Sequence, residues 1–226
     1  MKPAPFEYVK AGSVEEALQA LTEDAVILAG GQSLIPRLNA RERRPGRLVD
    51  INHAGLGVIR RTDGVLRIGA TVHQAALERS RIVKEHWPLL AEVARRVGHV
   101  ATRTRGTVGG TVMHADPRAQ LPIALLALDA ELVMQGPLLV ELAVPPLPEG
   151  ARTGYAEHGR GWPEAAAAVV RAPGYARVVV TGGRAREVEH ALLDGASPRE
   201  AAELVGGEGH RHALLADVTR RALAQC

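Results

Sequence analysis

The chain of 226 residues has one cysteine, Cys226. It therefore holds no internal disulfide and no cysteine-ligated metal or iron–sulfur site. Aromatic residues make up only 3% of it, with one Phe, two Trp and three Tyr. Its core must be built from Ala, Val and Leu, and it is poorly equipped to stack nucleobases. Lysine is confined to Lys2, Lys10 and Lys84, so arginine carries most of the positive charge. The net charge is only +3, and the basic residues are scattered among 25 acids rather than gathered in a stripe. That distribution argues against nucleic acid as a partner. No run approaches the ~18 apolar residues of a membrane span. The segment from Met1 to Phe6 has no apolar signal stretch, which makes a cytoplasmic location the expectation.

Several chemical signatures are also missing. No segment matches G-x-G-x-x-G between strand and helix, or G-x-x-x-x-G-K-[ST]. Ser33 lacks the G-x-S-x-G surroundings of a nucleophile elbow. His114 and Asp116 have no further ligand at metal spacing, so a local hydrogen bond is the favoured reading of His114. No catalytic constellation and no metal site are expected.

What the chain has is a pair of glycine-rich segments about eighty residues apart. The first, Ala29-Gly30-Gly31-Gln32-Ser33-Leu34, follows the apolar run Ala25–Leu28. The second, Arg105-Gly106-Thr107-Val108-Gly109-Gly110-Thr111, leads into His114-Ala115-Asp116-Pro117. Paired glycines let backbone approach a ligand closely. Successive exposed N–H groups form an anion-binding concavity. Two such loops suggest a diphosphate held from both sides. Glycine pairs also occur at 182–183 and 206–207, so a purely structural reading stays open for each loop.

The rest of the chain reads as alternating elements. Ser13-Val14-Glu15-Glu16 is a capping box opening a helix through Leu21. Arg47–Ile51, Gly57–Arg60 and Val65–Ile68 read as strands, the last two joined through Thr62-Asp63-Gly64. Thr71 is expected to cap a helix through Leu77. Trp87-Pro88 opens another, closed by Gly98. Gln120–Leu128 is helical; Glu131–Met134 and Leu138–Val144 are strand-like. Pro145 to Gly150 is the clearest boundary. Beyond it come short strands at Ala166–Arg171 and Arg177–Thr181. Two helices, Ser197–Leu204 and Gly209–Ala224, are expected to end the chain.

These residues resemble the flavin subunits of molybdenum hydroxylases, the medium chains of carbon monoxide dehydrogenase, xanthine dehydrogenase and their relatives. Ala29 to Pro36 is similar to the family's first FAD loop, and Thr102 through Pro117 to its second. Phe6-Glu7-Tyr8, Leu48 to Asn52, Ile68 to His73 and the helix ending Arg220-Arg221-Ala222-Leu223 are similar to other family segments. The resemblance thus covers nearly the whole chain. It implies an α+β fold: a two-part FAD-binding region of the vanillyl-alcohol oxidase type over 1–53 and 54–148, then a small α/β C-terminal domain over 149–226. It implies FAD as cofactor, held by Ala29, Gly30, Gly31, Gln32, Ser33, Leu34, Thr107, Val108, Gly109, Gly110, Thr111, Asp116 and Gln120.

The implied role is electron transfer in an oxidoreductase complex. A molybdopterin-binding large subunit oxidises substrate, and a [2Fe–2S] small subunit relays electrons to the flavin, which passes them to an external acceptor. A dimer of heterotrimers is the implied assembly. Thr111 stands where the family commonly has asparagine or serine, and Gln120 near where an acid is common. The stretch between Met134 and Leu138 is shorter than in relatives. It motivates an alternative, a structural or assembly subunit that has lost or weakened FAD binding.

Overall fold

Short apolar runs alternating with helical spacing in the first fifty residues fold into a parallel sheet with two crossover helices. The structure, a computed structural model, describes residues 2–159 and 161–226; Met1 and Arg160 lie outside the described residues. The order is β1 (Glu7–Lys10), α1 (Val14–Ala20), β2 (Ala25–Leu28), α2 (Leu34–Ala40) and β3 (Arg47–Asp50). β3 lies between the other two strands, and Val49 stands opposite both Val9 and Ile27. Ser13 caps α1 by accepting the Glu16 N–H at 3.1 Å. The Glu16 carboxylate reaches the Gly12 N–H instead of Ser13, so the expected box closes one residue early. Parallel pairing returns the chain to one end of the sheet. The loop after β2 and the residues after β3 therefore lie side by side, joined by Ile51 N–H to Leu28 O at 3.0 Å.

A second, antiparallel sheet contains β4 (Ile59–Thr62) and β5 (Val65–Gly69). Their hairpin turns through Asp63 and Gly64, both at positive φ, as a two-residue primed turn requires. Helices follow: α3 (Gln74–Arg79), α4 (Arg81–His86), α5 (Pro88–Arg96), α6 (Val100–Arg103), α7 (Val108–His114) and α8 (Gln120–Ala127). The sheet is completed by β6 (Glu131–Gln135) and β7 (Leu138–Val144), in the order β4-β5-β7-β6. The short stretch after Met134 is a tight hairpin through Gly136 and Pro137.

Two expectations for this region are corrected. Thr71 does not cap a helix. Its N–H donates to Leu56 O, and Val72 O accepts the Val108 N–H, so this backbone is a turn after β5 tied to its neighbours, and His73 becomes the cap of α3. The second glycine segment is not an open loop, because Val108–His114 is helical and Thr107 is its N-cap.

The third sheet is β8 (Arg152–His158), β9 (Ala165–Ala172), β10 (Tyr175–Val180) and β11 (Gly183–Arg184), all antiparallel, in the order β11-β10-β9-β8. It is followed by α9 (Arg186–Leu193), α10 (Pro198–Ala202) and α11 (Gly209–Leu223). Sequence reasoning missed β8, whose apolar alternation is weak, and α9. β9 reads Ala-Ala-Ala-Ala-Val-Val and is buried on both faces. Ala166, Ala168 and Val170 join the core that holds Leu66, Ile68, Trp87 and Leu121; Ala165, Ala167 and Val169 pack with Val218 and Ala222 of α11. Alanine favours helix in isolation, but here its small side chain suits a strand pressed between two layers. Packing β9 on α8 fixes the C-terminal sheet against the preceding region. It carries the β8–β9 loop to the mouth of a cavity described next.

Candidate functional site

A cavity of about 610 Å³ opens where the first glycine segment meets α7. Contact between the two segments is set by absent side chains. A Cβ on Gly30 would lie 2.3 Å from Arg105 O and 2.9 Å from Thr107 N. One on Gly109 would lie 2.7 Å from Ala70 O. Only glycine permits backbone to approach backbone this closely.

The two segments then do different work. In the first, no protein acceptor is found among the described residues for the N–H groups of Gly30, Gly31, Gln32, Ser33 or Leu34. Gly31 at φ +69° turns this run into a concave nest of donors. In the second, the donors are mostly spent. Val108 N–H goes to Val72 O, Gly109 N–H to Ala70 O, Thr111 N–H to Thr107 O, and Gly110 N–H to the Thr107 hydroxyl at 3.1 Å. The second segment is thus a capped helix that forms a wall, and the anion-binding donors belong to the first.

The nest is held from behind. Asp50, at the end of β3, accepts the Tyr8 hydroxyl at 2.5 Å, the Asn52 N–H at 2.9 Å and the Asn52 amide at 2.7 Å. That amide also donates to Ala29 O at 2.9 Å, at the entrance of the nest. Burial works to raise the Asp50 carboxyl, but these hydrogen bonds hold it below the usual carboxylate range. On the far wall, buried Arg103 binds Glu78 at 2.9 Å and the carbonyls of Val97 and Gly98 at 3.1 and 3.2 Å. This fixes the turn before α6.

Twelve of the thirteen residues expected to hold cofactor line this cavity: Ala29, Gly30, Gly31, Gln32, Ser33, Leu34, Thr107, Gly109, Gly110, Thr111, Asp116 and Gln120. Val108 does not. It is fully buried in the core beneath α7. Asp116 is engaged by Arg118, whose guanidinium holds its carboxyl below the usual range. Gln120 is buried; its amide faces Arg96 O, Glu157 and Gly161 O, bridging α8 to the C-terminal sheet and its loop. The Thr111 hydroxyl accepts the Gln74 amide at 2.7 Å and donates to Thr107 O.

The structure adds lining residues that sequence reasoning missed. Arg37 and Arg43 flank the nest, and Pro137, Leu138 and Leu139 bring the β6–β7 hairpin to the wall. Gln74 also lines it, with an Oε1 that has no partner among the described residues. Trp162, from the β8–β9 loop, lies at the cavity with the Arg118 guanidinium 5.0 Å from its ring centroid, and it remains 53% exposed. Its scarcity was the one available signal: it is one of two tryptophans.

A cavity of about 610 Å³ with five adjacent free N–H donors and largely apolar walls suits an anionic dinucleotide, and FAD fits these residues.

Comparison with known proteins agrees. Residues 4–141 match the model of the FAD binding domain in molybdopterin dehydrogenase. The 6-hydroxypseudooxynicotine dehydrogenase complex subunit alpha of Paenarthrobacter nicotinovorans is 39% identical over 86% of this chain and 80% of its own. The nicotine 6-hydroxylase medium subunit of the same organism is 28% identical, covering 100% of this chain and 98% of its own. That alignment spans 280 positions against the 226 residues here, so this relative carries segments the present chain does not. Among solved structures, carbon monoxide dehydrogenase from Hydrogenophaga pseudoflava superposes with a TM-score of 0.91 at 30% identity, covering 100% of this chain and 98% of that one. With its donor nest, its paired glycine segments and these likenesses, the chain belongs to the FAD-binding domain family of the molybdopterin dehydrogenases.

Proposed function

We propose that this chain is the FAD-binding electron-transfer subunit of a molybdenum-hydroxylase-type complex, seating the FAD diphosphate on the Gly30–Leu34 nest. The observation that carries the reading is the run of five backbone donors left free in a cavity walled by both glycine segments. The flavin supplies the redox chemistry, taking up and releasing electrons. The protein supplies position. Asp50 and Asn52 hold the nest in shape, and Thr107 caps the helix behind it. Trp162 offers the one large aromatic face among the described lining residues, suited to cover a flat ring.

The partners in this reading are a molybdopterin-binding large subunit and a [2Fe–2S] small subunit, in a dimer of heterotrimers. The relatives named as a complex subunit and a medium subunit support a multi-subunit setting. No described helix is long and apolar enough to cross a membrane, and a cytoplasmic site for the complex is part of the proposal. So is the division at 53 and 148, which is supported by the separate sheets either side of each point. The alternative of a subunit that has lost its flavin gains no support, since the nest is intact. An absorption spectrum of the purified chain tests the reading. Flavin bands at purification or after addition of FAD are expected; a chain that neither retains nor takes up FAD refutes it.

A further inference from the structure

The cavity carries positive charge that the protein leaves unused. Arg37 and Arg43 both line it beside the nest. Arg37 stands on α2, and a helical side chain leans toward the N-terminus over residues three and four earlier. Those residues are Leu34 and Ser33, the last two of the nest. Arg43 is brought to the same place by the way α2 ends. Arg41 adopts a left-handed conformation at φ 60°. The chain then doubles back, so that Arg37 O accepts the N–H groups of Glu42 at 2.9 Å and Arg43 at 3.4 Å.

Neighbouring arginines are occupied. Arg41 Nε donates to Lys2 O, Arg44 Nε to Arg41 O, and Arg47 pairs with Glu7 at 2.7 Å. Arg37 and Arg43 have no ion-pair or side-chain hydrogen-bond partner among the described residues. Two like charges held together without a counter-charge repel. An anion on the adjacent nest relieves that repulsion, and the planar guanidinium fork matches phosphate oxygens.

We propose that Arg37 and Arg43 form a cationic clamp over the diphosphate of the dinucleotide seated on the Gly30–Leu34 nest. The proposal rests on the flavin reading above and adds two residues that bind through charge.

The test uses the full chain stripped of flavin and titrated with FAD at low and high salt. The R37A/R43A double variant is expected to bind FAD about tenfold more weakly, or worse, at low salt. It should also lose most of the salt dependence shown by the wild-type chain. R37K/R43K keeps both charges and should recover the salt dependence, with affinity between the two. R44A should bind as wild type. Melting curves establish that each variant is folded; these side chains are exposed, so folding is expected to survive. Wild-type affinity and salt dependence in R37A/R43A overturn the clamp alone. So does weaker binding with an unchanged salt dependence, which assigns the arginines a packing role. A wild-type chain that binds no FAD overturns the functional reading and the clamp together.

Discussion

Replacing Gly30 with alanine probes the junction on which the site depends. The new methyl carbon would stand 2.3 Å from Arg105 O and 2.9 Å from both Gly106 Cα and Thr107 N. All three are backbone atoms, so no side chain can swing aside. Ordinary contact begins near 3.4 Å, so the two segments must part by about an ångström. Both are anchored, one by Asn52 to Ala29 O and the other by Val108 N–H to Val72 O. Overpacking of this kind costs about 1–3 kcal/mol. For a chain of this size each kcal/mol lowers Tm by about 2–4 °C, giving a fall of about 2–12 °C. The nest shifts with its loop, and FAD affinity should fall about tenfold or more. Thermal melts and FAD titration of the same sample read both effects. Gly55→Ala is the control. Unlike Gly30, Gly55 has positive φ, at +77°, and a Cβ there meets nothing within 4 Å. It should lose about 1–2 kcal/mol of stability to left-handed strain and leave FAD affinity alone. If Gly30→Ala melts and binds like wild type, the close apposition of the two segments is not what shapes the site.

Other outcomes follow from the same geometry. Thr107→Ala removes the cap of α7 and should cost about 1 kcal/mol, read as a lower urea midpoint at unchanged slope. Asp50 has a folded pKa below its unfolded value, so its stabilisation is present above the unfolded pKa and lost as pH falls through the folded one. Asp50→Asn should therefore be less stable than wild type at neutral pH, with the gap closing in strong acid; a gap independent of pH refutes the assignment. Trp162→Ala should weaken FAD binding about 5- to 100-fold if the indole covers the flavin ring, by the usual worth of aromatic stacking. Equal affinity would remove Trp162 from the site.

The first α/β unit was legible because its runs are short, apolar and separated by turn residues, while its parallel pairing came only from the structure. The Ser13 cap, the Thr62–Gly64 hairpin and the end of β7 at Val144 were legible for the same local reason. The second glycine segment misled for a physical reason. Paired glycines disfavour helix by local propensity, yet Gly109 and Gly110 occupy the first turn of α7. Tertiary contact with Ala70 admits no side chain at Gly109, and the Thr107 cap compensates for the poor propensity. Arg37 and Arg43 were invisible as a pair, because only the left-handed turn at Arg41 places them together.

By itself the sequence determined the chemistry in reserve. It offered glycines where backbone can approach backbone, a core of small aliphatic residues, and a lone cysteine with no second thiol to form a redox pair. Only the tertiary structure decided how that reserve is used. Backbone hydrogen bonds are settled by what lies opposite each N–H. The donors of the second segment found partners in residues 70–72 and in Thr107, while those of the first face an open cavity. One glycine segment became a wall and the other the place where an anion can sit.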